Sequence, residues 1–273
     1  MKRILATTDF SQTANNAVRY AAELAQAAYA SLTVLNVYHV PLMVSDVPAP
    51  IVIGPDDMEK ESMQELRNLV IDIQRDVPSV KISVDSRAGF AQDEINELSK
   101  KSGYDLVVMG IEGHGRAVQF LGSTATGVAR DAKVPVLIVP DGAKFKKPER
   151  IVFAFDYKEI SDTNKINMLL ELADLFKSRI HVLNVVGEVK EIYLERALAG
   201  MQVDDILYNT KHELSIPEDA DAVHGIEEYL KRNESDMLVM IKRQHSLFER
   251  LFYTNHTKKM AFQTHIPLLV LHD

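Results

Sequence analysis

Four short apolar motifs occur twice along this chain, in the same order, and that duplication sets narrow limits on its fold. Ile4-Leu5-Ala6-Thr7-Thr8-Asp9 returns as Ile151-Val152-Phe153-Ala154-Phe155-Asp156, and Leu32-Thr33-Val34-Leu35-Asn36-Val37 as Ile180-His181-Val182-Leu183-Asn184-Val185. Asp105-Leu106-Val107-Val108-Met109 matches Asp236-Met237-Leu238-Val239-Met240, and Val134-Pro135-Val136-Leu137-Ile138-Val139 matches Ile266-Pro267-Leu268-Leu269-Val270-Leu271. A period of about 130–150 residues is domain-sized and too long for a solenoid unit. We therefore expect two tandem domains, at 1–143 and 150–273. The Pro- and Gly-containing basic run from Pro140 to Arg150 should link them.

Within the first copy, Ile4–Thr8, Leu32–Val37, Val80–Val84, Leu106–Met109 and Val136–Val139 are strand-length runs rich in Val, Ile and Leu. Such runs suit strands buried on both faces. Between the first two, Ala14, Ala17, Val18, Ala21, Ala25 and Ala28 recur at helical spacing behind Ser11, a capping residue. Pro55-Asp56-Asp57 opens a second helix running to about Arg75, Ala91–Lys101 reads as a third, and Gly122-Ser123 opens a fourth. Strand and helix in alternation predict an α/β fold: two doubly wound domains of the flavodoxin or Rossmann kind, each with a five-stranded, mainly parallel sheet. The second copy repeats this order, with a longer irregular stretch across Gly187–Ala222.

Composition excludes several functions. The 273 residues are 46% apolar, enough for a large core, and contain no Cys, which removes disulfides, thiolate metal sites and Cys nucleophiles. A net charge of −8 argues against nucleic-acid binding, and the apolar runs are too short to span a membrane. The expectation is a soluble, cytoplasmic protein. The nine His are not at metal-ligand spacing, and neither a nucleophile-elbow Ser nor a P-loop occurs.

Ligands of such sheets bind beyond the carboxyl ends of the strands. The informative turn follows the fourth strand: Met109-Gly110-Ile111-Glu112-Gly113-His114-Gly115-Arg116, continuing to Gly122-Ser123-Thr124. Glycines admit close backbone approach, the next helix start offers free N–H groups, and Ser123 and Thr124 add hydroxyls. This reads as a phosphate site or as a plain tight turn.

Together, the opening Ile4–Ser11, the Leu35-Asn36-Val37 strand end, the glycine loop and the closing Val134–Val139 resemble the universal stress protein family. The likeness extends over the whole chain as two copies, as in its tandem members. The nucleotide-binding branch of that family carries Gly-x2-Gly-x9-Gly-Ser/Thr. By resemblance, Gly110, Gly113, Gly122, Ser123 and Thr124 would hold the phosphates of ATP, with or without Mg²⁺. Thr7, Thr8 and Asp9 would face ribose and base, and Val37 and Met109 would complete the site, the Val37 backbone reading adenine. Eight residues separate Gly113 from Gly122 here, where the family pattern has nine.

In the second copy Gly110 is replaced by Ile241, Gly113 by Gln244, Gly122 by Thr254 and Ser123 by Asn255, so the nucleotide site is expected to be lost. Its basic and aromatic segment, 242–259, is either an anion or partner site or an interdomain surface with a solvated helix face. The Pro-rich run Val40–Pro55 is a flap over the nucleotide, a dimer contact or a loop packed against the neighbouring domain. Only Glu112 and His114 offer a base near the phosphates, so no enzyme beyond a slow ATPase is expected. The function implied is a stress-response ATP-binding signalling or adaptor protein with an unidentified protein partner; the alternative is a nucleotide-independent assembly protein of the same fold. Val136–Val139 and Leu268–Leu271 should pair within the chain, leaving any homodimer to another surface.

Overall fold

The computed structural model describes residues 1–40, 54–101, 103–111, 123–155, 163–185, 203–242 and 265–272. The first half runs β1 (Arg3–Thr7), α1 (Gln12–Ala27), β2 (Ser31–Tyr38), α2 (Pro55–Gln74), β3 (Ile82–Ala88), α3 (Ala91–Lys101), β4 (Leu106–Ile111), α4 (Ser123–Asp131) and β5 (Val136–Pro140). The second runs β6 (Arg150–Ala154), a 3₁₀ turn (Thr163–Ile166), α5 (Asn167–Phe176), β7 (Arg179–Leu183), β8 (His212–Ser215), α6 (Ala222–Arg232), β9 (Met237–Lys242) and β10 (Leu268–His272).

The helix ends follow their sequence signals. Ser11 Oγ accepts from Ala14 N at 3.2 Å and caps α1. Pro55 with Asp56 and Asp57 opens α2. Helix α3 carries Asp93 and Glu94 in its first turn and Lys100 and Lys101 in its last, matching the helix dipole.

All ten strands form one sheet in the order β3-β2-β1-β4-β5-β10-β9-β6-β7-β8. Each half alone reads 3-2-1-4-5, the Rossmann order rather than the flavodoxin order, and its neighbouring strands are parallel. The expected pairing of last strands is present: β5 and β10 run antiparallel, Leu137 opposite Leu269. Two apolar layers sandwich the sheet and cross this junction without a break. On one face Ile4, Ala6, Val108 and Leu137 pack with α1 and α2, and Phe153 and Leu269 with α5. On the other, Leu5, Val107, Ile138, Val152 and Val270 pack under α3, α4 and α6.

Two local expectations are corrected, and the linker proves to be packed. The third strand lies at Ile82–Ala88 rather than Val80–Val84, because buried Val77 and Val80 are used in the turn that follows α2. The stretch Gly187–Ala222 contains strand β8; its polar sequence His-Glu-Leu-Ser suits a sheet edge and hides it from apolar patterning. The run Pro140–Arg150 is a packed connection. Phe145 sits edge-on to Tyr20 of α1 at 5.3 Å and to Phe176 of α5 at 6.1 Å, and Asn16 Nδ2 donates to Ala143 O at 3.0 Å.

Candidate functional site: a cleft at the sheet's switch point

Strand order reverses between β1 and β4 in the first half, and the chain there leaves the sheet in opposite directions. The gap beyond those strand ends is where ligands of doubly wound sheets bind.

The turn out of β1 is held by its own side chains. Thr8 N donates to Leu35 O at 2.9 Å, so the turn stays tied to β2. Phe10 has φ +66°, a left-handed conformation that costs a non-glycine residue roughly 1 kcal/mol or more. Thr8 Oγ1 accepts from Phe10 N and donates to Asn15 Oδ1, both at 2.8 Å, and Asn15 Nδ2 donates to Phe10 O at 3.0 Å. Asp9 Oδ1 accepts from Ser11 N at 3.0 Å, which leaves Asp9 exposed at the mouth of the turn. Below, Asn36 Nδ2 donates to Thr8 O at 2.8 Å while its Oδ1 accepts from Ser62 Oγ at 2.7 Å. Buried polar groups linked in this way rigidify the backbone around them.

Gly110 explains how the far wall closes. A Cβ built there would stand 2.7 Å from Thr13 O and 3.0 Å from Ala14 Cα. The end of β4 therefore touches the first turn of α1, and this packing alone demands glycine.

The cleft so formed has a volume of about 360 Å³. Thr7, Thr8, Asp9, Val37, Met109, Gly110, Ser123 and Thr124, all named from sequence, line it together. Gly113 and Gly122 lie outside the described residues, as do Glu112, His114, Asp156, the second-copy loop beyond Lys242 and most of the Pro-rich run. Sequence reasoning missed Ser11, Thr13 and Ala14 from α1, Leu35, Ala91 and Ile95 from α3, Ile111 and Ala125. The apolar stripe of α3 was the available signal, but only packing turns Ile95 towards the cleft. Hydroxyls and a carboxylate share the cleft with aliphatic side chains, which suits a ligand with both polar and apolar parts.

The equivalent place in the second half keeps the frame and changes the contents. Phe155 N donates to Leu183 O at 2.9 Å and Asn184 Nδ2 to Phe155 O at 2.7 Å, repeating the Thr8–Leu35 and Asn36–Thr8 bonds. Ala154 and buried Phe155 stand where Thr7 and Thr8 stand, and Ile241 takes the place of Gly110. Phe155 stacks on Phe153 at 5.5 Å. Both hydroxyls are gone, and an aromatic ring replaces one of them.

Fold and cleft define a doubly wound α/β protein with a cleft at the switch point of its first half. The sequence pattern of the universal stress protein family matches residues 1–140, and the chain belongs to that family. Universal stress protein G of Shigella flexneri and of Escherichia coli O157:H7 is 34% identical over 84 residues, 31% of this chain and 58% of theirs. The chain thus spans less than two thirds of the length of these relatives. A universal stress protein from Archaeoglobus fulgidus DSM 4304 has the same fold over 98% of this chain and 97% of its own, with a TM-score of 0.75 at 16% identity. A functionally unknown protein from Pseudomonas aeruginosa PAO1 matches 100% of this chain and 92% of its own at 14% identity and a TM-score of 0.62. Among the described residues, no helix is long and apolar enough to cross a membrane, and no three His, Asp or Glu side chains gather as a metal-ligand set.

Proposed function

We propose that this cleft binds one adenine nucleotide, ATP with or without Mg²⁺, and that the chain serves the stress response as a nucleotide-dependent cytoplasmic adaptor with little or no hydrolysis. In this reading residues 1–143 form the binding domain, and 150–273 form a domain whose site has been lost and which contacts partners. The observation that carries it is the convergence of residues from three chain segments on one cleft. Thr7, Thr8 and Asp9 would meet the sugar, Val37 the base, and Ser123 and Thr124 at the start of α4 the phosphates. The volume lies in the range of small-ligand sites. Ser and Thr hydroxyls with backbone N–H groups stabilise bound phosphate without lowering a hydrolytic barrier, because they hold ground and transition states alike.

A second reading, a nucleotide-independent assembly protein, is favoured by Gly110, whose packing against Thr13 accounts for the glycine without a ligand. Calorimetric titration of the whole chain with ATP and Mg²⁺ separates the two. One site per chain, weakened at least about tenfold by Thr124→Val and by Asp9→Ala, supports nucleotide binding. No heat and no protection of the cleft at millimolar ATP gives the assembly reading. Turnover of several ATP per second, lost in Thr124→Val, would replace the adaptor role with an ATPase.

A further inference from the structure

On the opposite side of the first half, a second hollow of about 810 Å³ opens where the two halves meet. Its walls are α3 and the end of α4 from the first half, with the last residues of β9 and β10 from the second. The chain carries a net −8, yet Lys100, Lys101, Arg130, Lys133 and Lys242 line this hollow against Asp93, Glu97 and Asp131. Two of those carboxylates are already engaged. Lys101 Nζ donates to Glu97 at 2.7 Å, and Arg130 clasps Asp131 through Nε at 2.7 Å and an Nη at 2.6 Å. Among the described residues, Lys100, Lys133 and Lys242 make no ion pair.

Two buried polar atoms in the same wall have no hydrogen-bond partner among the described residues: Asn96 Oδ1 and His272 Nδ1. Asn96 is only 8% exposed, so its unpaired oxygen needs a donor from within the wall or from a ligand. His272 Nε2 is 2.9 Å from Ala129 O, which requires the proton on that nitrogen and leaves Nδ1 of the neutral ring an acceptor. Acceptors that lack donors, beside ammonium groups that lack anions, describe a ligand carrying both a negative charge and a hydroxyl.

We propose that this hollow binds a small hydroxylated phosphate monoester, with Lys100, Lys133 and Lys242 meeting the phosphate and Asn96 Oδ1 accepting from a hydroxyl. Among the described residues, no aromatic ring other than the His272 imidazole lines it. Lys100 and Lys133 belong to the first half and Lys242 and His272 to the second, so the ligand clamps the halves together.

The surroundings of His272 supply a reporter. Burial holds its pKa below the usual imidazole value; Lys242 of β9 and Lys133 beyond α4 push it the same way, while the Ala129 carbonyl and Asp131 of α4 oppose them. A bound phosphate offsets the two lysines, and the ring then takes up a proton at higher pH.

The test titrates the whole chain with ribose 5-phosphate, inorganic phosphate and unphosphorylated ribose. Calorimetry is read beside the ring proton resonances of His272, assigned with His272→Gln. Expected are binding of both phosphates, none of ribose, and a rise in the His272 pKa on binding. The Lys133→Gln/Lys242→Gln double variant should weaken both phosphates at least about tenfold. Asn96→Leu should weaken ribose 5-phosphate more than inorganic phosphate, and if that variant fails to fold, the lysine pair alone decides. Three results overturn the proposal: a His272 resonance unmoved at millimolar ribose 5-phosphate, an affinity unchanged in the folded lysine variant, or binding lost in Thr124→Val but kept in the lysine variant. The last assigns the phosphate to the nucleotide cleft, so this site can fail without the proposed function failing.

Discussion

Leu137 and Leu269 face each other across the antiparallel junction of β5 and β10, and they are also each other's counterparts in the sequence repeat. Val136 pairs with Val270, and Leu268 with Ile138, each pair the mirror of the other under the same correspondence. A pseudo-two-fold axis therefore passes between the two leucines. The junction has the self-complementary character of a symmetric dimer interface, contained within one chain. It also removes the apolar sheet edge that each half would otherwise expose.

Leu137 and Leu269 are 1% and 0% exposed and lie in the same apolar layer. Leu137→Ala and Leu269→Ala should each cost about 2–5 kcal/mol. The double variant should cost measurably less than the sum, because the second truncation enlarges a cavity already opened. Urea unfolding of the four proteins checks this; strict additivity would mean the side chains do not share a contact.

Gly110→Ala places a methyl group against the backbone of Thr13 and Ala14, which cannot swing aside as a side chain can. We expect a loss of about 1–3 kcal/mol and a shift of the first turn of α1. Hydrogen exchange of the Asn15 amide, bonded to Ser11 O at 2.9 Å, should quicken in the variant. Wild-type stability would show that β4 and α1 lie further apart.

Asn36 and Asn184 hold equivalent turns with unequal resources. Asn36 both donates to Thr8 O and accepts from Ser62 Oγ, whereas Asn184 donates to Phe155 O and, among the described residues, its buried Oδ1 has no partner. Asn36→Ala should therefore cost about 2 kcal/mol, stranding Thr8 O and leaving Ser62 Oγ its bond to Ser86 Oγ, and Asn184→Ala about 1 kcal/mol less. Equal losses in thermal or urea unfolding would contradict this difference.

His272 links stability to pH. Its pKa is lower in the folded chain, mainly through burial, so as pH falls below about 6.5 the unfolded state takes up a proton first. The residue has no pH-dependent effect above that range and destabilises progressively from about pH 6.5 down towards its folded value. His272→Gln keeps a donor for Ala129 O and cannot titrate. The stability of the parent relative to this variant should therefore fall between pH 7.5 and pH 5.5 in urea unfolding. A constant difference would show that the ring titrates normally.

Much of this architecture was legible because its signals are local. The repeat placed the core strands at nearly their observed bounds, since a strand buried on both faces is written as an apolar run. Ser11 and Pro55 marked helix starts by the same short-range chemistry. Strand β8 escaped because an edge strand need not be apolar, and Val80 misled because a buried turn residue resembles a strand residue. Thr7, Thr8, Asp9, Val37, Met109, Gly110, Ser123 and Thr124 could be named because their motifs resemble those of the universal stress protein family, and a doubly wound sheet brings the ends of those strands to one cleft.

The sequence by itself determined the duplication, the alternation of strand and helix, and the first-half residues placed at the strand ends. These follow from side-chain periodicity and turn chemistry, which act over a few residues. Only the tertiary structure decided that β5 and β10 close into one ten-stranded sheet in register at Leu137 and Leu269. It alone revealed that Gly110 is glycine because Thr13 stands against it, that Phe145 seals the connection between α1 and α5, and that Lys133 and Lys242 share a hollow. Each of these is a contact between residues distant in the chain, set by the packing of whole elements rather than by the preferences of any segment.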